Sequence, residues 1–236
     1  MNKSHAKTTR RRAAHAPTLV CAALWLLSLC LVPSSFCPAQ EVVDKIVAVV
    51  NGRELITYTD VLWQLALEPG VPLDRPRTED LNRSLEVVIN QRLLLQEAEK
   101  LPTIAPKPDE INAAIKRLIS QFPSQSDFYQ RLARVGLGED SEQLREIIRQ
   151  RVAIENYVNF RFRSFTVVTP QEEAAYYKDV YVPRHRRQSP GRLVPTLEEA
   201  RADINRELTE GKIESDLDSF IEDARARAEI NVISPP

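Results

Sequence analysis

The stretch VVDKIVAVVNGRELIT, residues 42–57, begins as a β-branched run, breaks at Asn51-Gly52 and resumes at Leu55-Ile56. Asn-Gly between two apolar segments predicts a hairpin, because both central residues of a type I′ turn need a positive φ. A lone two-stranded hairpin is marginal in water and leaves an apolar face bare. The rest of the chain must therefore supply a third strand or a covering helix. Residues 230–233, Ile-Asn-Val-Ile, alternate like a strand and offer that partner.

Between these strands the pattern is helical. Thr59 is read as the cap of a first helix carrying Val61, Leu62, Leu65 and Ala66, which Pro69-Gly70 stops. Thr78 opens a long helix with Leu81, Leu85, Val88, Ile89, Leu94, Leu95 and Ala98 on a wide apolar stripe. Pro108 suits the first turn of the next, Ser126 is read as the cap of a short one ended by Gly136 and Gly138, and residues 141–163 form another. Residues 165–168 read as a short extended piece. Thr169-Pro170 then starts a brief helix over residues 171–181. Pro183, Pro190, Gly191 and Pro195, mixed with Arg184, Arg186 and Arg187, read as an irregular solvated linker. A last long helix carries Leu197, Ala200, Ile204, Leu208, Leu217, Phe220, Ile221, Ala224 and Ala228, with Gly211 inside it. An exposed stripe of that length is not stable alone, so this helix should fold back on the first half of the chain.

The first 39 residues differ from the rest. Lys3, Lys7, Arg10, Arg11 and Arg12 precede an apolar run at residues 19–32 and the small-x-small triplet Cys37-Pro38-Ala39. This reads as a secretory signal peptide cleaved after Ala39. The run of 14 residues is short of the roughly 20 that a spanning helix needs. Its removal leaves 197 of 236 residues, shifts the formal charge from −1 to −6, and leaves no cysteine and one histidine, His185. Such an exported chain relies on a packed core rather than disulfides. The expected organisation is a signal peptide at 1–39, a core at 40–168, a short helix and linker at 169–195, and a closing helix and strand at 196–236.

The composition narrows the chemistry. Without cysteine, and with one histidine in a basic proline-bearing run, zinc sites, Cys/His nucleophiles and a Ser/His/Asp triad lack their parts. No Gly-rich phosphate cradle has the required spacing. The expectation is no catalytic residue, no metal and no cofactor, and the mildly acidic balance gives no general case for nucleic acid. The aromatic residues are more suggestive. Phe122, Phe128, Tyr129, Tyr157 and Phe160 stand at helix ends or on several faces, and are the expected lining of a peptide-accepting groove.

The segments VVDKIVAVVNGRELITYTDV (42–61), LEVVINQRLLLQEAEKL (85–101), PDEINAAIKRL (108–118) and SEQLREIIRQRVAIENYV (141–158) together resemble the N-terminal chaperone domain of SurA-type periplasmic folding factors. VTPQEEAAYY (168–177) resembles the helix leading into the parvulin isomerase domain of that family. Residues 199–233 resemble its C-terminal helix and closing strand. The resemblance implies a mainly α fold, a helical SurA-like chaperone core with a small β hairpin, whose C-terminal helix and terminal strand pack back on the N-terminal half. It also implies an ATP-independent periplasmic chaperone whose partners are unfolded envelope proteins, outer-membrane β-barrel precursors among them. Family members carry parvulin domains of about a hundred residues where this chain has only residues 179–195, so no isomerase residue has a matching position. Two other functions stay open: a dedicated envelope adaptor subunit that binds one folded partner, and a peptidyl-prolyl isomerase.

Overall fold

The computed structural model describes residues 44–236, and the expected signal peptide lies outside them. Strands β1 (Ile46–Val50) and β2 (Glu54–Thr57) pair antiparallel, with Ala48 opposite Ile56. Asn51 and Gly52 have φ of 53° and 65°, and the Arg53 N–H donates to the Val50 carbonyl at 3.2 Å, as the turn chemistry requires. Strand β3 (Ile230–Val232) adds to the other side of β1, giving the order β2-β1-β3, with Val50 opposite Ile230 and Ala48 opposite Val232. Asn51 also ties the chain ends together. Its N–H donates to the Glu229 carbonyl at 2.7 Å, its Oδ1 accepts the Glu229 N–H at 3.1 Å, and its Nδ2 donates to Gln96.

Helices α1 (Tyr58–Ala66) and α2 (Thr78–Ala98) cover the sheet. Val47, Ala48, Val50, Ile56, Val61, Leu65, Leu85 and Ile89 are buried there with Ala224 and Ala228 packed against them. A second core joins α1 to α3 (Pro108–Ile119), α4 (Gln125–Ala133) and α5 (Glu142–Arg161) around Phe128, Leu132, Leu137, Leu144 and Ile148. The end of α4 follows from Gly136. Its φ of 78° lets the Leu137 N–H reach the Leu132 carbonyl and the Gly136 N–H reach Ala133, and Leu137 drops into the core.

Two caps fall two residues before the expected ones. Thr57, not Thr59, caps α1, and Ser124, not Ser126, caps α4. Each is followed three residues later by an aspartate, Asp60 or Asp127, that exchanges hydrogen bonds with it. Reciprocal bonding satisfies two orphan donors at Thr57, so that register wins. Residues 163–165, expected in part as extended chain, form a single 3₁₀ turn, Arg163–Phe165.

The basic run also departs from expectation. Helix α6 (Pro170–Tyr176) continues through one π-helical turn, Tyr177–Tyr181, into α7 (Val182–Gln188), so Arg184, His185, Arg186 and Arg187 are helical. The Val182 N–H bonds the Tyr177 carbonyl five residues back. That widened turn admits Pro183, which lacks an N–H and would clash with the carbonyl of a tight α turn. Tyr177, Tyr181 and His185 stack in sequence at 5.8 and 6.1 Å between centroids. Between Pro170 and the start of the next helix, only residues 189–196 are irregular.

Helix α8 (Leu197–Arg227) starts with a Thr196/Glu199 capping box and runs back over both α6 and the core. Its apolar positions do not form one stripe because its two halves have different partners. The first half buries Ala200 and Ile204 and adds polar contacts around them: Asn205 donates to Glu173, Arg184 pairs with Glu207, and Lys212 pairs with Glu172. Farther on, Ile213 is buried, and Leu217, Phe220 and Ile221 pack against Leu94, Leu95, Tyr157 and Phe162. Arg225 pairs with Glu86 on α2 at 2.7 Å and leads into β3. The fold is mainly α with a small antiparallel sheet, closed by its own C-terminus.

Candidate functional site

The five aromatic residues expected to share a groove do not share one. Phe128 is fully buried, packed on Phe122 at 5.1 Å and on Tyr129 at 5.0 Å between centroids. Phe122 is buried beside it. Tyr157 is buried in the other helical core, where it meets Phe162 and Phe220 at 6.4 and 6.0 Å. Phe162 and Phe220 themselves meet nearly edge to face at 5.7 Å. This trio clasps α8 onto α5. Phe122, Phe128 and Tyr157 are therefore core residues, because α4, α5 and α8 bury faces that the local sequence leaves ambiguous.

Tyr129 and Phe160 do reach the surface. The half-buried Tyr129 ring lines an open cleft of about 520 Å³ between α3, α4 and the start of α5, with Ile115 and Ile119 beside it and Lys116, Arg145, Glu139 and Asp140 around the edge. Burial raises the Tyr129 phenol above its ordinary pKa, and the Glu139 and Asp140 carboxylates add to that shift. The hydroxyl therefore stays protonated through the neutral range and can act as a hydrogen-bond donor. Phe160 is 45% exposed near the other end of α5.

A second cleft, of about 340 Å³, opens at that end between the 3₁₀ turn and α8. Phe162, Phe165 and Phe220 supply its apolar wall, and Arg161, Asp216 and Asp223 supply charge. Phe165 is 71% exposed and Val167 is 70% exposed. The chain holds them outward because the turn is fixed on both sides: Arg163 forks onto Glu210 at 2.7 and 2.9 Å, and Lys212 donates to the Val167 carbonyl at 2.8 Å. Phe165 and Val167 are not among the five expected groove residues. The available signal was an apolar run, Phe165-Thr166-Val167-Val168, lying between helices with no amphipathic face of its own.

Among the described residues, no group of three or more His, Cys, Asp or Glu side chains could hold a metal ion, and no helix is long and apolar enough to cross a membrane. No protein-family model matches the chain, and no curated protein is similar to it.

Proposed function

We propose that this protein is an ATP-independent chaperone that holds unfolded or partly folded envelope proteins, β-barrel precursors among them, after export to the periplasm. The observation that supports this reading is the surface at the end of α5, where Phe165 and Val167 stand free beside the Phe162/Phe220 cleft. Large apolar side chains grouped at a cleft fit a recognition surface. An extended client places alternate side chains into such a cleft, and the Tyr129 cleft at the opposite end of α5 is a second contact. The axial separation from Arg145 to Arg161 is about 24 Å, which roughly seven extended residues cover. Binding of this kind lowers the free energy of the unfolded client and opposes its aggregation by mass action.

The test is suppression of light scattering by several unrelated, chemically denatured β-barrel precursors. Wild-type protein should protect them at near-stoichiometric amounts without nucleotide. A Phe165→Ser/Val167→Ser variant should fold normally and protect substantially less, since losing one apolar anchor costs about 2 kcal/mol, or roughly thirtyfold in affinity. Protection of no unrelated client would leave the dedicated adaptor as the better reading. Acceleration of prolyl isomerisation in a short peptide would instead establish an isomerase.

A further inference from the structure

Helices α1, α2 and α5 meet around a cavity of about 40 Å³ whose wall mixes the apolar side chains Trp63, Val88, Leu95, Ile147 and Ile154 with a set of polar ones. Asp60 and Gln64 come from α1, Gln91 and Arg92 from α2, and Gln150 and Arg151 from α5. The Nε atoms of Arg92 and Arg151 are both shut off from solvent, and neither has a hydrogen-bond partner among the described residues. A buried donor left unsatisfied is costly, and native interiors supply it with water or an ion. Two such donors lining one cavity mark a place where something binds.

The charge balance indicates what. Arg92 donates to Gln150 at 3.2 Å and lies 3.5 Å from the Asp60 carboxylate. Arg151 donates to the Gln64 amide oxygen at 2.7 Å and has no ion pair among the described residues. The nearby acids are engaged elsewhere. Glu68 accepts from Gln64 and lies near Arg83, and Glu146 is held by Arg149. Asp60 also caps α1. The wall therefore carries two cations against one carboxylate. Water can satisfy an N–H but cannot offset that excess charge. Burial pushes the Arg151 guanidinium below its ordinary pKa, with Glu68 only partly opposing it.

We propose that this cavity binds one small inorganic anion, such as chloride, between the Arg92 and Arg151 guanidinium groups. The space corresponds to about three waters, which admits a monatomic anion and excludes nucleotides and peptide side chains of any length. The anion joins three helices at the centre of the molecule and stabilises the folded state by mass action. This site is separate from both surface clefts, so it stands or falls independently of client binding.

The experiment compares thermal unfolding of the protein in sodium chloride and in sodium gluconate at fixed ionic strength. Chloride should raise the midpoint saturably, by roughly 3–6 °C at ten times its dissociation constant. Arg151→Met should abolish the difference while the surface variant Arg117→Gln keeps it. If Arg151→Met does not fold, Arg92→Gln should weaken the chloride dependence at least severalfold. On wild-type protein, chloride-35 NMR should show line broadening that bromide displaces. Equal midpoints in the two salts, or broadening that persists in both arginine variants, would overturn the proposal in favour of a water-filled cavity.

Discussion

Replacing Phe128 with alanine separates a core residue from a client-binding one. Phe128 has no solvent exposure and is packed among Phe122, Tyr129, Leu132 and Leu137 in the core between α1, α4 and α5. Truncating a buried phenylalanine removes its transfer free energy and leaves a cavity, at about 3–5 kcal/mol. Against a total stability of about 5–15 kcal/mol for a domain, that is a large fraction. With a urea slope near 2.5 kcal/mol/M, the unfolding midpoint should fall by about 1.2–2 M. At temperatures where the variant stays folded, its protection of denatured clients should match wild type, because the ring faces no client. Tyr129→Ala should do the reverse, moving the midpoint less than half as far while weakening protection through the cleft it lines. A Phe128→Ala midpoint within about 0.4 M of wild type, at unchanged slope, would refute the placement of this ring in the core.

Two further outcomes follow from the docking of α8. Glu172 titrates at about 2 instead of its ordinary 4.5, chiefly because Lys212 donates to it, with the Thr169 N–H and hydroxyl contributing. A folded pKa below the unfolded one stabilises fully above about pH 4.5 and progressively less as pH falls towards 2. The stability difference between wild type and Glu172→Gln should therefore be constant above pH 5 and shrink below 4.5; pH-independent curves that run parallel to pH 2.5 would contradict this contact. Ending the chain after Glu229 removes β3 and should speed hydrogen exchange at the Val49 amide, opposite Asn231, at least tenfold. Unchanged exchange there would mean that β3 does not protect the sheet.

The hairpin, the helix positions and the return of the C-terminal helix were legible because each rests on local chemistry or on a simple need for cover. Asn51-Gly52 takes the positive φ that a side chain with a branched Cβ resists, and residues 230–233 were the free strand the hairpin lacked. The caps at Thr57 and Ser124 lie two residues before the hydroxyls that the sequence suggests, because several hydroxyl residues crowd each helix start. The reciprocal bond to Asp60 or Asp127 selects among them. The basic run at 184–187 looked like a loop for the sound reason that proline disfavours helix interiors. The π turn removes that obstacle, and the Arg184–Glu207 pair and the Tyr177 bond to the Pro195 carbonyl hold the segment on its neighbours.

The aromatic residues show the boundary most clearly. The sequence by itself determined where the hairpin turns, roughly where most helices lie, and that a long C-terminal helix had to find a partner, since these depend on φ preferences and periodicity within a few residues. Only the tertiary structure decided that Phe128 and Tyr157 are interior while Tyr129, Phe165 and Val167 line open surface. Burial of a ring depends on what arrives from elsewhere in the chain. Phe220 reaches Tyr157 across 63 positions of sequence, whereas no segment among the described residues covers Phe165 to the same degree.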